Sequence, residues 1–497
     1  MIRISRRIRL AACTLAALAA PALLRAQIPR SEYAARREAL LARIDSGVVV
    51  AFGGVESVTH WPPFAQLPSF EYLTGFGEPD AALLLVKRGG TGGAQLFLPP
   101  RNPRLERFMG PRTGPAEALG ATGIPGRLLG EIGAAVDSLV SAGLPLYVVR
   151  DVHTADFANA DSLTRGASLV ARVRRAHPTP RIVMVDDVVQ QLRARKSPAE
   201  TALLRRATGI SAAGHRQAMR AMAPGCNEGQ IQAVLESVFR GMGAEQPGYG
   251  SIVGSGPNAL KLHYDRNDRV MQAGESVVID AATALGHYSA DITRTLPVSG
   301  RFSPEQRAVY QLVLDAQAAF VRQIYAGGSV ETANDSGRAV IAGGLTRLGL
   351  IESPAAEFDP VPGIPCGREG CRQVRLFAWH GYGGHGLGLE VHDPAQYYFG
   401  QKRFAPGDVF TVEPGIYVSP EYLDQLPDTP RNRALLARIR PAARRYAGIG
   451  VRIEDDYLVT ENGVEWLSKD VPRDIDAVEA LMREDPPAGT VCGLPRG

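Results

Sequence analysis

Short apolar runs alternate with amphipathic segments over the first part of the chain. The runs are only three to five residues long, and each is bounded by turn-forming residues: Val48–Phe52, Ala82–Val86, Leu96–Leu98 and Leu146–Val149. The segments between several of them have the spacing of helices with one apolar face. Strands that alternate with helices are typical of α/β domains. The pattern therefore predicts an α/β domain over residues 27–190.

The pattern changes near residues 193–200. Ser197-Pro198-Ala199-Glu200 combines an N-cap, a first-turn proline and a glutamate at the third helical position, which together predict a helix start. Beyond it, helices mix with longer alternating strands as far as Met482. This indicates a second, α+β domain over residues 191–483, and the Pro- and Gly-containing residues 484–497 are predicted to form a loose tail.

Residues 1–26 have the pattern of an export signal. A basic stretch to Arg9 precedes an apolar run from Leu10 to Leu24, which is too short to span a bilayer. We expect cleavage after Ala26 and an exported protein, periplasmic or secreted. Ser5-Arg6-Arg7 leaves twin-arginine and general export both open. We expect no stable membrane insertion of the mature chain.

Composition and charge exclude other classes. Of 497 residues, 45% are hydrophobic and 21% charged, which is the balance of a globular protein. The net charge is +4, but five arginines and no acidic residue precede residue 27. The remainder is nearly neutral, so no nucleic-acid partner is expected. In an oxidising compartment Cys366 and Cys371 could close a local disulfide; ligation of a metal is the weaker alternative.

Two carboxylates adjoin β-branched residues in unusual positions. Asp280 ends the run Val277–Ile279, and Asp291 begins Asp291-Ile292-Thr293-Arg294-Thr295. A buried carboxylate is costly unless it is paired or bound to metal. A hairpin turning at Leu285-Gly286 would place the two aspartates directly opposite each other, where their charges repel unless a cation bridges them. The alternative is that one caps a turn and the other is solvated.

Further carboxylates and imidazoles occur in similar settings. Two glutamates end strand-like runs, and period-2 alternation puts Arg452 on the same face as the second of them. Four of the nine histidines lie in or beside these segments, one of them within Gly383–Gly388. These candidates are Glu413 and Glu454, with His263, His380, His385 and His392. Four carboxylates and one imidazole suit two divalent cations and favour metal-assisted hydrolysis.

The order Asp280, Asp291, His385, Glu413, Glu454 resembles the metallopeptidases of the pita-bread fold, most closely the Xaa-Pro aminopeptidases (aminopeptidase P). Three segments are similar to the first domain of these enzymes: Phe70–Phe76, Arg101-Asn102-Pro103 and Gly110–Gly114. Methionine aminopeptidases lack that domain. The resemblance implies an α+β pita-bread catalytic domain preceded by an α/β domain like that of creatinase and aminopeptidase P.

The resemblance also implies roles for the candidates. The five residues of the ordered set would hold two divalent cations, with Mn²⁺ the family expectation and Co²⁺, Zn²⁺ or Fe²⁺ possible alternatives. Asp291 and Glu454 would bridge the metals, and Asp280 would chelate one. Glu413 would also move protons during catalysis. His392 would contact the scissile carbonyl.

The remaining implied roles concern substrate. His263 would line the pocket and help in catalysis, and Arg452 would support the ligands. His263, His380 and His392 would surround the proline ring. The implied substrates are proline-containing peptides, and the implied assembly is a homodimer or homotetramer.

Two departures and two alternatives remain. The spacing from His380 to His385 is one residue longer than is usual in the family, and residues 419–446 form an apparent insertion. A prolidase acting on Xaa-Pro dipeptides uses the same metals. A metal-free pita-bread protein, either a creatinase-like hydrolase or a binding scaffold, is opposed by the complete ligand set.

Overall fold

The computed structural model describes residues 28–56, 64–153, 164–363, 366, 370–378, 383–394, 402–485 and 492. The predicted export signal, His380 and nearly all of the predicted tail lie outside these residues. Among the described residues, no helix is both long and apolar enough to cross a membrane.

The N-terminal part of the chain is built on one mixed sheet. In spatial order, the strands of this sheet in the described chain are Gly126–Leu128, Thr91–Leu98, Ala82–Arg88, Gly47–Phe52, Leu146–Val149 and Ile182–Met184. The central strand Gly47–Phe52 is buried on both faces because helices cover both sides of the sheet. The predicted α/β architecture is confirmed.

Helices of this region flank the sheet and connect its strands. Their bounds are Arg30–Ala42, Pro68–Thr74, Pro103–Met109, Ala118–Thr122, Ile132–Ser141, Arg165–Ala176 and Asp186–Ala194, with a 3₁₀ turn at Leu129–Glu131. The next helix, Pro198–Ala221, starts where the sequence predicts. The Ser197 hydroxyl accepts from the Glu200 amide at 3.2 Å, and the Glu200 carboxylate accepts from the Ser197 amide at 2.8 Å.

The C-terminal part is α+β, as predicted. Four small antiparallel sheets are described there: Thr293–Pro297, Ser276–Asp280 and Ile252–Ser255; Tyr288–Ser289, Thr283–Leu285 and Gln246–Pro247; Val409–Val412, Asp455–Thr460 and Gly463–Trp466; Gly415–Tyr417 and Gly450–Arg452. The helices are Pro198–Ala221, Glu228–Gly241, Pro304–Val321, Val330–Arg347, Pro420–Leu423, Pro430–Arg445 and Ile475–Met482, with 3₁₀ turns at Gly256–Leu260 and Gln373–Leu376. Two of these helices form most of the apparent insertion.

The register predicted for the aspartate hairpin is wrong by two residues. The turn lies at Gly286-His287, both with positive φ (56° and 66°), and not at Leu285-Gly286. A two-residue turn with two positive φ values matches the twist of antiparallel strands, and glycine relieves the strain at its first position. As a result Thr293, rather than Asp291, lies opposite Asp280.

Two disulfides are present among the described residues. Cys366 and Cys371 are bonded, as predicted, and Cys226 is bonded to Cys492, a pairing that the sequence analysis did not propose. Cys226 is fully buried in the core of the catalytic domain. The second bond therefore ties the end of the chain to that core across 266 residues of sequence.

We expect the long-range disulfide to contribute more stability than the local one, because closing a longer loop removes more entropy from the unfolded chain. Replacing Cys492 by alanine should lower the free energy of unfolding by about 2–4 kcal/mol. The measurement is urea denaturation under non-reducing conditions. The matched control is Cys371→Ala, which opens the five-residue loop and should cost less. Equal losses for the two variants would contradict this.

Candidate metal centre and active site

Five predicted ligands converge on one cavity of the catalytic domain. Asp280 ends a strand, Asp291 lies two residues before the strand Thr293–Pro297, and Glu413 and Glu454 directly or closely follow other strands. His385 lies in the glycine-rich loop. The cavity has a volume of about 460 Å³. Tyr249, His263, His392 and Arg452 also line it. Segments that are far apart in sequence are thus brought together as predicted.

Three of the five side chains are close enough to share one ion. Ligand atoms of Asp291, His385 and Glu454 all lie within 4.8 Å of one another, and all three residues are buried. His385 Nε2 is 3.5 Å from Asp291 Oδ2 and also 3.5 Å from Glu413 Oε1. Buried Glu454 Oε1 has no hydrogen-bond partner among the described residues. An orphaned carboxylate oxygen facing such donors fits a metal site.

The aspartates are linked through a tyrosine. The Tyr249 hydroxyl is 2.5 Å from Asp280 Oδ1 and 2.5 Å from Asp291 Oδ1. Burial and the surrounding carboxylates raise the pKa of Tyr249 well above its usual range, so the hydroxyl stays protonated. On its other oxygen Asp280 is paired with Arg452. Sequence reasoning missed Tyr249; its position in Gly248-Tyr249-Gly250 gave no specific signal.

The carboxylates have divergent proton affinities when no cation is bound. Burial and the charges of Glu454 and Asp280 raise the pKa of Asp291 well above its usual range. Burial and Glu413 do the same to the pKa of Glu454. Burial would also raise the pKa of Asp280, but Arg452 and the Tyr249 hydroxyl outweigh it and lower that pKa. The set therefore holds more negative charge than its protein surroundings can neutralise.

Arg452 contacts several side chains around the predicted metal ligands. Its guanidinium donates to the Tyr417 hydroxyl at 2.9 Å and to Thr293 Oγ1 at 3.2 Å, besides its ion pair with Asp280. Thr293 in turn donates to Glu454 Oε2 at 2.6 Å. Arg452 and Glu454 lie on one face of the strand, as the alternation predicts. Thr293 and Tyr417 are supporting residues that the sequence analysis did not single out.

The glycine-rich loop approaches the strands too closely for side chains. A Cβ at Gly384 would overlap Thr411 and Glu413, and one at Gly386 would overlap the backbone of Asp393. The His385 amide donates to Thr411 Oγ1 at 3.2 Å. Glycine is needed here because the backbone itself packs against the ligand strands.

The predicted substrate histidines lie beside the ligands. The ring centroids of His392 and His385 are 3.9 Å apart. Burial and the neighbouring His385 and His263 lower the pKa of His392 to about 4, so its ring is uncharged at neutral pH. His263 is exposed on the cavity wall. The predicted role of His380 falls on a residue outside the described ranges.

The loop that carries His392 is anchored by Arg193, in the helix Asp186–Ala194, and by Lys196. The guanidinium of Arg193 is 1% exposed and lies 2.8 Å from Glu390 and 2.9 Å from Asp393. Lys196 donates to the Asp393 carbonyl at 3.0 Å. These residues flank His392 on both sides in sequence, so the helix Asp186–Ala194 and the residues after it help to fix the position of this histidine.

Comparisons with known proteins agree with this geometry. The model for metallopeptidase family M24 matches residues 202–461, and that for the aminopeptidase P N-terminal domain matches residues 33–139. The chain therefore belongs to metallopeptidase family M24. It is 35% identical over 463 residues to the Xaa-Pro aminopeptidase of Haemophilus influenzae, covering 92% of this chain and 98% of that protein.

Solved structures give the same result at the level of the fold. The aminopeptidase PepP of Pseudomonas aeruginosa superposes with a TM-score of 0.74 and 34% identity. Zinc-substituted Escherichia coli aminopeptidase P in complex with product superposes with a TM-score of 0.75 and 31% identity. Each comparison covers 92% of this chain and 98% of the other. The pita-bread fold with an aminopeptidase P-type first domain is confirmed.

We expect divalent cations to stabilise the protein by relieving the repulsion between Asp291 and Glu454. At 100 times its dissociation constant, one bound ion adds about 2.7 kcal/mol to the free energy of unfolding. The measurement is the melting temperature of chelator-treated protein with and without added Mn²⁺. Glu454→Gln should lose most of the shift, whereas the exposed Glu461→Gln should keep it. An unchanged shift in Glu454→Gln would contradict the predicted role of Glu454.

The effect should also depend on pH. Asp291 and Glu454 have raised pKa values in the folded, metal-free state. Their contribution to stability is present below about pH 4, the range of unfolded carboxyl groups, and is lost as the pH rises through the folded values. Metal-free protein should therefore become less stable on going from about pH 4 towards neutrality, and the shift given by Mn²⁺ should grow.

Proposed function

We propose that this protein is an exported Xaa-Pro aminopeptidase that uses two divalent cations, in the first instance Mn²⁺, and releases the N-terminal residue of peptides whose second residue is proline. The observation that carries the proposal is the buried convergence of Asp291, His385 and Glu454, with Asp280 and Glu413 on the same cavity. Relatives that match 92% of the chain are named Xaa-Pro aminopeptidases.

The metals would be held by Asp280, Asp291, His385, Glu413 and Glu454. When bound, they would supply a hydroxide nucleophile at neutral pH and polarise the scissile carbonyl. Glu413 is suited to take the proton of the attacking water and pass it to the leaving nitrogen, since its carboxylate faces His385 and accepts from Thr411 at 3.3 Å. His392, neutral at pH 7, is suited to donate a ring N–H to the substrate carbonyl.

The substrate class follows from the chemistry of proline. A peptide bond to proline lacks an N–H, and the ring fixes φ, so a site built to pair with extended backbone does not accept it. His263 and His392 provide flat, partly apolar walls for such a ring. The second candidate function is that of a prolidase, which cleaves Xaa-Pro dipeptides. No contact among the described residues closes the cavity around a substrate as short as a dipeptide.

Export and assembly are part of the proposal. The N-terminal pattern and two disulfides support an oxidising compartment, periplasmic or extracellular. The helix Pro103–Met109 exposes Leu105, Phe108 and Met109, with Phe108 81% exposed. Apolar residues grouped in this way support burial between subunits of a homodimer or homotetramer, which sedimentation of the mature protein would test.

We expect the mature, Mn²⁺-loaded protein to release Xaa from a tripeptide Xaa-Pro-Yaa, and a chelator to abolish the reaction. The dipeptide Xaa-Pro and the tripeptide Xaa-Ala-Yaa serve as comparison substrates in the same assay, with products separated by chromatography. Cleavage of the dipeptide alone would identify a prolidase. Absence of cleavage by protein that binds two metals would reject the proposed substrate class.

A second expectation concerns His392. Replacing it by alanine should reduce kcat/KM for Xaa-Pro-Yaa by at least about 100-fold, because a hydrogen bond to the developing oxyanion is lost. Its Mn²⁺ content, measured by atomic absorption, should stay at the wild-type value. The control is His177→Ala, because His177 belongs to the first domain and does not line the cavity. A loss of metal in His392→Ala would mean that His392 is a ligand.

A further inference from the structure

The two predicted bridging ligands lie at the ends of two strands that form no continuous ladder with each other. Asp291 precedes the strand Thr293–Pro297, and Glu454 follows the strand Gly450–Arg452, which belongs to a different sheet. Among the described residues, a single isolated bridge, between Thr293 and Glu454, joins their backbones. We call this junction the seam. Its geometry sets the separation of the two carboxylates.

One backbone hydrogen bond and two side-chain hydrogen bonds hold the seam together. The Glu454 amide donates to the Thr293 carbonyl at 3.0 Å. Thr295 Oγ1 accepts from the Arg452 amide and donates to the Arg452 carbonyl, both at 3.0 Å. These contacts hold the two strands together, and the guanidinium of Arg294 adds further hydrogen bonds across the seam.

Arg294 is completely buried and uses all of its donors. Its Nη1 donates to the carbonyls of Thr293 and Glu454 at 2.9 and 2.7 Å, one on each side of the seam. Nη2 donates to Asp455 at 2.7 Å and to the Val471 carbonyl at 3.0 Å, and Nε to the Pro472 carbonyl at 2.9 Å. All five N–H groups of the guanidinium are thereby satisfied.

The partner of Arg294 is fully satisfied as well. Asp455 Oδ1 accepts from Arg294 and from Ser468 at 2.6 Å, while Oδ2 accepts from Gln317 at 3.0 Å and from Arg473 at 2.9 Å. Asp455 directly follows the ligand Glu454. A buried ion pair is weak evidence for net stability, and its best-supported use is to fix one arrangement among several.

We propose that Arg294 is a positioning residue for the dinuclear centre: by joining the carbonyls of Thr293 and Glu454 it fixes the distance between Asp291 and Glu454 and so sets the affinity for the second cation. The inference rests on the proposed two-metal function. Arg294 contacts neither ligand carboxylate, and therefore acts through the backbone. Lysine cannot replace it, because a single ammonium group does not reach two carbonyls and Asp455 in a planar fork.

The test is calorimetric titration of chelator-treated mature protein with Mn²⁺. We expect Arg294→Lys to bind the first ion as wild type does and the second at least about 10-fold more weakly, the scale found for supporting residues of metal sites. At limiting Mn²⁺ its kcat should fall while KM for Xaa-Pro-Yaa is unchanged. Unaltered affinity for both ions would overturn the proposal.

The matched control is Arg473→Lys. Arg473 pairs with the other oxygen of Asp455 at 2.9 Å but donates to neither carbonyl of the seam. The Arg473→Lys variant should bind both ions with wild-type affinity. If Arg294→Lys and Arg473→Lys weaken binding of the second ion equally, Arg294 has only a general structural role and the proposal is rejected.

A second variant covers the case in which Arg294→Lys does not fold. Asp455→Asn keeps the size of the partner but removes its charge, and the proposal requires weaker binding of the second ion there too; normal binding would reject it. Wild-type protein that binds fewer than two Mn²⁺ would instead contradict the proposed function, so the two failures are distinguishable.

Discussion

The repulsion among converging carboxylates is the constraint on which the catalytic domain depends. Asp280, Asp291, Glu413 and Glu454 line one cavity, and burial makes their mutual repulsion stronger than it would be in water. Arg452 forms its close ion pair with Asp280 and is 4.0 Å from Glu454. Burial and the neighbouring carboxylates raise the pKa values of Asp291 and Glu454. Bound cations would offset this repulsion. The remaining residues of the site hold the carboxylates in place.

The supporting structure consists of hydroxyls and guanidinium groups that hold the ligands without neutralising the whole set. Tyr249 hydrogen-bonds to both aspartates, Thr293 holds Glu454, and Arg452 holds Asp280. Arg294 acts one step further away, on the backbone carbonyls. Asp280 uses both of its oxygens in these contacts, whereas Glu454 Oε1 has no hydrogen-bond partner among the described residues and keeps its lone pairs for a metal.

Much of this was predictable from the sequence because the chemistry is local. Asp280, Glu413 and Glu454 each follow a run with β-branched residues, which is why they could be identified as buried or strand-end acids. The helix start at Pro198 and the Cys366–Cys371 bond were predictable for the same reason. The register at Asp280 was not, because Gly286-His287 and Leu285-Gly286 are both plausible two-residue turns and only packing selects between them. The contacts of Tyr249, Arg294 and Cys492 are made with residues distant in sequence, which periodicity cannot reveal.

Strands carry the carboxylates of the site, and loops carry its histidines. The carboxylates lie in or at the ends of strands, where ladder and seam contacts restrict them, whereas His385, His392 and His263 lie in loops. His385 is the exception among the predicted ligands. Its loop leaves no room for a side chain at Gly384, which adjoins Thr411 and Glu413, or at Gly386, which adjoins the backbone of Asp393. The metal ligands are therefore fixed by the core. The loop of His392 is held by Arg193 and Lys196 through Glu390 and Asp393. Substrate preference within this fold is accordingly expected to vary through the loops, while the carboxylate set and its support stay the same.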